Sequence, residues 1–220
     1  MTLIADNLRR VNDRIAEAAS RAGREPSDIT LVAVTKKQPV SAVLEVLAAG
    51  AFDLGENYVQ EAADKREGMI SARWHLLGHL QSNKAKVAVT LFDLVQSVDS
   101  VKLARALGSQ AASLGQVQEI LLQVHLGDEE TKFGLLPDAV ADSAAQISGL
   151  SGIALRGLMG IAPNGVEARP YFQQLRGLFE ALPAENAKIL SMGMTGDFEA
   201  AIEEGATLIR IGTAIFGPRN

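Results

Sequence analysis

Two adjacent lysines close the stretch TLVAVTKKQP, residues 30–39, in which the apolar run Leu31-Val32-Ala33-Val34 gives way to Lys36 and Lys37. An amine held in a partly desolvated pocket loses some of its preference for the charged form. Its lone pair can then add to an aldehyde and, with loss of water, form an imine. Along a strand Lys36 shares a face with Val32 and Val34, and Lys37 with Leu31, Ala33 and Thr35, so only one of the pair can point inward. Two solvated charges at a strand end is the other reading, because lysine is rarely buried. The stretch by itself leaves both open.

A second group lies near the C-terminus. Ser191-Met192-Gly193-Met194-Thr195-Gly196-Asp197 and Arg210-Ile211-Gly212-Thr213 are rich in the small residues that let backbone N–H groups approach an anion. Taken singly, Gly193 and Gly196 read as turn residues and Arg210 as a salt-bridge partner. On a common face with one imine-forming lysine they describe a pocket for a phosphorylated aldehyde. Metal chemistry is not expected: there are no cysteines and only three histidines. His75 and His79 would share a face on a helix, but Trp74-His75-Leu76-Leu77-Gly78 reads as a short strand ending at glycine, which separates them.

Placing those residues together requires alternating strands and helices. Helical spacing of Leu3, Ile4, Leu8, Val11 and Ile15 predicts an amphipathic helix over 2–22, stopped by Gly23. Strands are expected at 30–36, 52–56, 74–77, 91–95, 117–124, 153–159, 189–191 and 208–211. Helices fall between them, several stopped by glycine, as at Gly50, Gly115 and Gly205. The first strand is apolar at every position, as in a parallel sheet covered on both faces. Eight such units predict an α/β fold, a single (β/α)8 TIM-type barrel over residues 1–220 with an additional N-terminal helix. That helix would cover the gap left by the short chain after Ile211. A doubly wound sheet is the competing layout, but no G-x-G-x-x-G follows the first strand. In a barrel, ligands bind where the strands end, so Lys36, Asn57, Ser191 and Arg210 would share one rim.

The 220 residues carry net charge −5, with 47% apolar and only 5% aromatic residues, so the core is aliphatic and a general nucleic-acid surface is disfavoured. Neither a signal peptide nor an apolar run of membrane-spanning length is seen, and a cytoplasmic monomer is expected.

The motifs TLVAVTKKQP, FDLGENYVQE, WHLLGHLQSNK, KFGLLP, LRGLMGIAP and LSMGMTGDFEAAIEEGATLIRIGTAIFG resemble, in order and spacing, the pyridoxal-phosphate homeostasis family from about Thr30 to the C-terminus. That family looks like the barrel domain of alanine racemase standing without its second domain. The resemblance implies pyridoxal 5'-phosphate as cofactor, Lys36 as its Schiff-base residue with Lys37 a bystander, and Asn57 beside it. Ser191, Thr195 and the backbone of Gly212 and Thr213 would hold the phosphate, and Arg210 would face the pyridine nitrogen. Thr35 stands where many members have serine, and Leu77 where many have isoleucine.

Arginine stays protonated and offers no acceptor, so at that position it keeps the ring nitrogen unprotonated and weakens the ring as an electron sink. The resemblance therefore implies a carrier that buffers the cofactor or delivers it to apo-enzymes, without robust turnover. The alternatives are an amino-acid racemase and a class I aldolase-type barrel acting on a phosphosugar. Racemases of this type take an opposing tyrosine from a second domain, and this chain's tyrosines are Tyr58 and Tyr171. The aldolases place their lysine on a late strand, whereas here it is on the first.

Overall fold

The computed structural model describes residues 2–67, 69, 71–127 and 133–218. Eight parallel strands close in sequence order, with the last pairing back onto the first. They are β1 (Thr30–Val34), β2 (Asp53–Glu56), β3 (Arg73–Leu76), β4 (Leu94–Val98), β5 (Gln118–Val124), β6 (Ile153–Gly160), β7 (Ile189–Ser191) and β8 (Leu208–Ile211). The helices are α1 (Leu3–Arg21), α2 (Val40–Ala48), α3 (Val59–Arg66), α4 (Ala85–Leu91), α5 (Val101–Ser113), α6 (Val140–Ser148), α7 (Arg169–Glu180), α8 (Phe198–Glu203) and the single turn α9 (Thr213–Phe216). This is the expected TIM-type barrel, with α1 preceding the first strand. None of the helices, among the described residues, is long and apolar enough to cross a membrane.

With only one turn of helix after β8, α1 packs against that side of the barrel. Leu8, Val11, Ile15, Ala18 and Ala19 form its buried stripe. Asn7 donates to the carbonyl of Ile215 at 2.9 Å, and Arg14 and Arg21 pair with Glu199 and Glu203 of α8.

Strand alternation sends one set of side chains outward under the helices and the other into the barrel. Trp74, Leu76, Ile120 and Leu122 belong to the outer core, where each buried large side chain contributes about 1.5–3 kcal/mol. Val32, Leu94, Leu121, Met159 and Leu208 form a separate buried cluster that fills the interior, with Ile161 and Ile189 packed against it. Gly55 keeps this interior tight, because a Cβ there would meet Leu77 Cδ1 at 2.6 Å and Val32 Cγ1 at 2.9 Å.

Two strands, β1 and β4, differ from the sequence reading by more than one residue. β1 stops at Val34, because the carbonyl of Thr35 accepts from Gln38 N–H at 3.0 Å and closes a turn over Lys36 and Lys37. Leu31 and Val34 are also only partly buried rather than fully so. β4 begins at Leu94 instead of Leu91: α4 runs on through Leu91, and the Asp93 carboxylate accepts from Trp74 N–H at 2.8 Å, fixing the strand's entry. Gln96 and Ser97 consequently lie within the strand rather than beyond its end.

Candidate functional site

Arg210 precedes Ile211 at the end of β8, two residues beyond the interior residue Leu208, and so points into the barrel below its carboxyl-end mouth. It registers beside Val32 of β1. Nη1 donates to Ser191 Oγ at 2.5 Å and Nη2 to the carbonyl of Gly160 at 2.8 Å. Among the described residues no carboxylate lies within ion-pair distance of it, although Asp197 nearby acts to raise its pKa. Burial outweighs that effect and brings the guanidinium down to about 10, so it remains charged at neutral pH. A buried cation without an ion-pair partner suits an anion or an acceptor atom of a ligand.

The hydrogen bonds continue through the interior. Ser191 Oγ lies 2.6 Å from Gln96 Oε1, Gln96 Nε2 lies 2.9 Å from His75 Nδ1, and His75 Nε2 lies 2.8 Å from Asp53 Oδ1. Arginine can only donate, so the serine oxygen accepts and its one proton goes to Gln96. Gln96 must then present its oxygen to Ser191 and its amide N–H to His75. His75 Nδ1 is left as an acceptor, and the ring proton on Nε2 is donated to Asp53. His75 is completely buried, and desolvation holds its pKa below the ordinary value despite the hydrogen bond to Asp53.

Above this chain lie the two glycine-rich loops. Met194 N–H donates to Asp197 Oδ1 at 2.6 Å and Asp197 N–H to the Met194 carbonyl at 3.1 Å, folding 194–197 into a compact turn. Gly193, at φ +93°, allows α8 to pack close, since a Cβ would stand 2.6 Å from that of Ala201. Thr195 Oγ1 accepts a long 3.4 Å contact from Ala214 N–H, bringing the β7 loop against the start of α9 and hence against Gly212 and Thr213. A Cβ at Gly212 would stand 3.6 Å from that of Val34, so this loop in turn lies over the end of β1.

Lys36 is half-buried in the turn that follows β1, and Lys37 is exposed. Asn57 is half-buried on the loop after β2. That loop is held from the next one: a Cβ at Gly78 would meet the Asn57 carbonyl at 2.1 Å, and Ser97 Oγ donates to the Gly78 carbonyl at 2.7 Å. The structure thus puts Lys36, Asn57, Thr195, Gly212 and Thr213 on one rim. Ser191 lies beneath them, its hydroxyl taken up between Arg210 and Gln96. His75 and His79 are separated as the strand reading requires, His79 pairing with Asp99 at 3.0 Å, and no metal-binding cluster occurs among the described residues.

Sequence reasoning passed over His75 as a ligand candidate and gave Gln96 no role. The available signal was alternation, since His75 and Gln96 each lie two residues from an interior position. Lys65 was also missed. Its ammonium is buried against Glu56, below the Lys36 turn.

As a donor set, a primary amine, a buried uncompensated guanidinium and a hydroxyl beside the N–H groups of a glycine-rich loop suit a small aromatic or aliphatic aldehyde bearing a phosphate.

Residues 7–220 match the family described as alanine racemase, N-terminal domain. The chain is 40% identical over 230 residues to the pyridoxal phosphate homeostasis protein of Escherichia coli strain K12, covering 100% of this chain and 98% of that one. Among solved structures, an unknown protein from Bifidobacterium adolescentis is similar with a TM-score of 0.91 at 37% identity, covering 97% of this chain and 94% of that one. PipY of Synechococcus elongatus with PLP bound is similar with a TM-score of 0.80 at 40% identity, covering 92% of this chain and 100% of that one.

Proposed function

We propose, from the premise that this chain belongs to the pyridoxal phosphate homeostasis protein family built on the alanine racemase N-terminal domain, that it holds pyridoxal 5'-phosphate as a Schiff base on Lys36 and buffers or delivers the cofactor in the cytoplasm. The observation that carries this reading is Arg210, a charged guanidinium buried below the mouth with no carboxylate partner among the described residues. When bound, pyridoxal phosphate supplies an aldehyde that condenses with an amine and an aromatic ring that can take up electron density.

Lys36 supplies the amine. Thr35 directs its hydroxyl to Glu56 at 2.6 Å, and Lys36 follows it in the turn at the carboxyl end of β1. Thr195 and the N–H groups of Gly212 and Thr213 would bind the phosphate, and Asn57 would close the side nearest β2. Arg210 would donate to the pyridine nitrogen and, being charged, would keep that nitrogen unprotonated. Ser191, its hydroxyl shared between Arg210 and Gln96, would contribute to cofactor binding by holding Arg210 in place.

The same feature argues for a carrier over the racemase reading. A ring facing a protonated guanidinium would be a poor electron sink, and neither tyrosine is held in the barrel interior as an opposing base. Tyr58 is 59% exposed ahead of α3, and Tyr171 packs on the outer core from α7. Apo-enzymes that need the cofactor are the proposed recipients.

Borohydride reduction of the protein loaded with pyridoxal phosphate, followed by peptide mass mapping, tests the reading. An adduct on Lys36 is expected. An adduct on Lys37 alone, or none, overturns it.

A further inference from the structure

The backbone on both sides of Lys36 is held by one buried ion pair. Lys65, on α3, is 6% exposed and Glu56, at the end of β2, is 0% exposed. The Lys65 ammonium donates to the Thr35 carbonyl at 2.7 Å, to Glu56 Oε1 at 2.8 Å and to Glu61 Oε1 at 3.0 Å, which uses all three of its protons. The same Glu61 oxygen accepts the N–H of Lys37, and Thr35 Oγ1 donates to Glu56 Oε1 at 2.6 Å. Residues 35 and 37 are therefore tied to one cluster, with Lys36 between them.

The turn needs that restraint. Gln38 N–H to the Thr35 carbonyl makes a four-residue turn with Lys37 third, at φ +61°. This is the place where a type II turn usually has glycine. Lys37 is the one non-glycine residue with positive φ among the described residues. A buried ion pair is weak evidence of net stabilisation, because desolvation cancels much of the attraction. Specificity of geometry is the better account of this one, and the geometry it specifies is that of the turn.

We propose that Lys65 is a positioning residue for Lys36: its ammonium, shared between the Thr35 carbonyl and the Glu56 and Glu61 carboxylates, fixes the turn so that the Lys36 amine meets the aldehyde at the right place. The inference rests on the assignment of the Schiff base to Lys36. It gives a second, buried lysine a role in cofactor binding without contact. Burial raises the pKa of Glu56, and its hydrogen bond and charge interaction with Lys65 act against that rise.

The test uses the full chain loaded with pyridoxal phosphate and two variants. Lys65→Met combined with Glu56→Gln removes both charges together, so no unpaired ion is left inside. Glu61→Gln, at a partly exposed position, keeps the Lys65–Glu56 pair and weakens the ties of residue 61 to Lys37 and to Lys65. For each, the dissociation constant of the cofactor and the Lys36 to Lys37 ratio of borohydride-fixed adduct are measured beside the thermal midpoint. Loss of orientation should raise the dissociation constant of the double variant about ten- to a hundredfold, move part of the adduct to Lys37, and give a smaller change of the same sign in Glu61→Gln. A merely structural cluster would lower the thermal midpoint and leave the adduct ratio alone. That result overturns the inference, as does unchanged affinity and ratio in Glu61→Gln should the double variant fail to fold. A wild-type protein with no adduct on Lys36 overturns instead the assignment on which the inference rests.

Discussion

Gln96 Nε2 lies 2.9 Å from Nδ1 of His75, and this contact joins the buried histidine of β3, by way of Ser191, to the guanidinium of Arg210 on β8. Every proton between them has one place to go, since Arg210 can only donate and the Asp53 oxygen accepts from His75. Replacing Gln96 with leucine leaves the Ser191 hydroxyl proton without an acceptor and His75 Nδ1 without a donor. At about 1–3 kcal/mol per buried unsatisfied group, the variant should unfold at clearly lower urea concentration than the wild type. It should also bind pyridoxal phosphate more weakly, because Ser191 no longer fixes Arg210. Denaturation and cofactor titration of the same preparation check both.

The same chain makes a pH prediction. Burial holds the His75 pKa in the folded protein below its unfolded value of about 6.5. Below that pH the unfolded chain binds the extra proton and the folded one does not, so the contribution to stability is full above about pH 6.5 and is lost as pH falls toward the folded value. The slope approaches about 1.4 kcal/mol per pH unit at most. The wild type should therefore lose stability between pH 7 and 5 more steeply than His75→Gln. Glu56 titrates in both proteins and cancels from the difference. Parallel pH profiles would show that His75 is not held neutral.

Gly212 separates steric tolerance of the protein from that of the ligand. An alanine Cβ there would make only ordinary contact, 3.6 Å from Val34 Cβ and 3.7 Å from its carbonyl, so Gly212→Ala should fold with stability within about 0.5 kcal/mol of wild type. If the phosphate lies against that backbone, Gly212→Leu should block it. Thr195→Ala should cost about 1.5–3 kcal/mol of binding, roughly ten- to a hundredfold or slightly more. Isothermal titration with pyridoxal phosphate reads all three, and equal affinities would move the phosphate elsewhere.

The barrel was legible because its punctuation is local. Apolar runs such as Ile120-Leu121-Leu122, and glycines closing helices at positions 50, 115 and 205, mark each unit without knowledge of the others. β4 was misread because Val87 to Val98 carries no breaker between helix and strand, and the entry is set by Asp93 bonding across to Trp74. The rim loops were legible through their glycines. The interior chain was not, because Asp53, His75, Gln96, Ser191 and Arg210 come from five strands and meet only when the barrel closes. Lys65 escaped for a related reason: from its helix alone it reads as a solvated charge, and its burial depends on a glutamate from β2.

Arg210 decides between carrier and enzyme. If, as proposed, the wild-type guanidinium faces the pyridine nitrogen, hydrogen–deuterium exchange at the α-carbon of amino acids should be slow, while cofactor passes to an added apo-enzyme. Arg210→Glu puts a carboxyl group beside the Gly160 carbonyl in a buried site, which raises its pKa and makes the neutral acid available as a donor to the ring nitrogen. A ring carrying that proton draws electron density more strongly, so α-proton exchange should rise although the substitution destabilises the protein. Proton NMR of several amino acids in deuterium oxide, with Lys36→Ala as the control, measures it. Fast wild-type exchange abolished by Lys36→Ala would replace the carrier reading with the enzymatic one. Exchange unaltered by Arg210→Glu would mean that the guanidinium does not face the ring nitrogen.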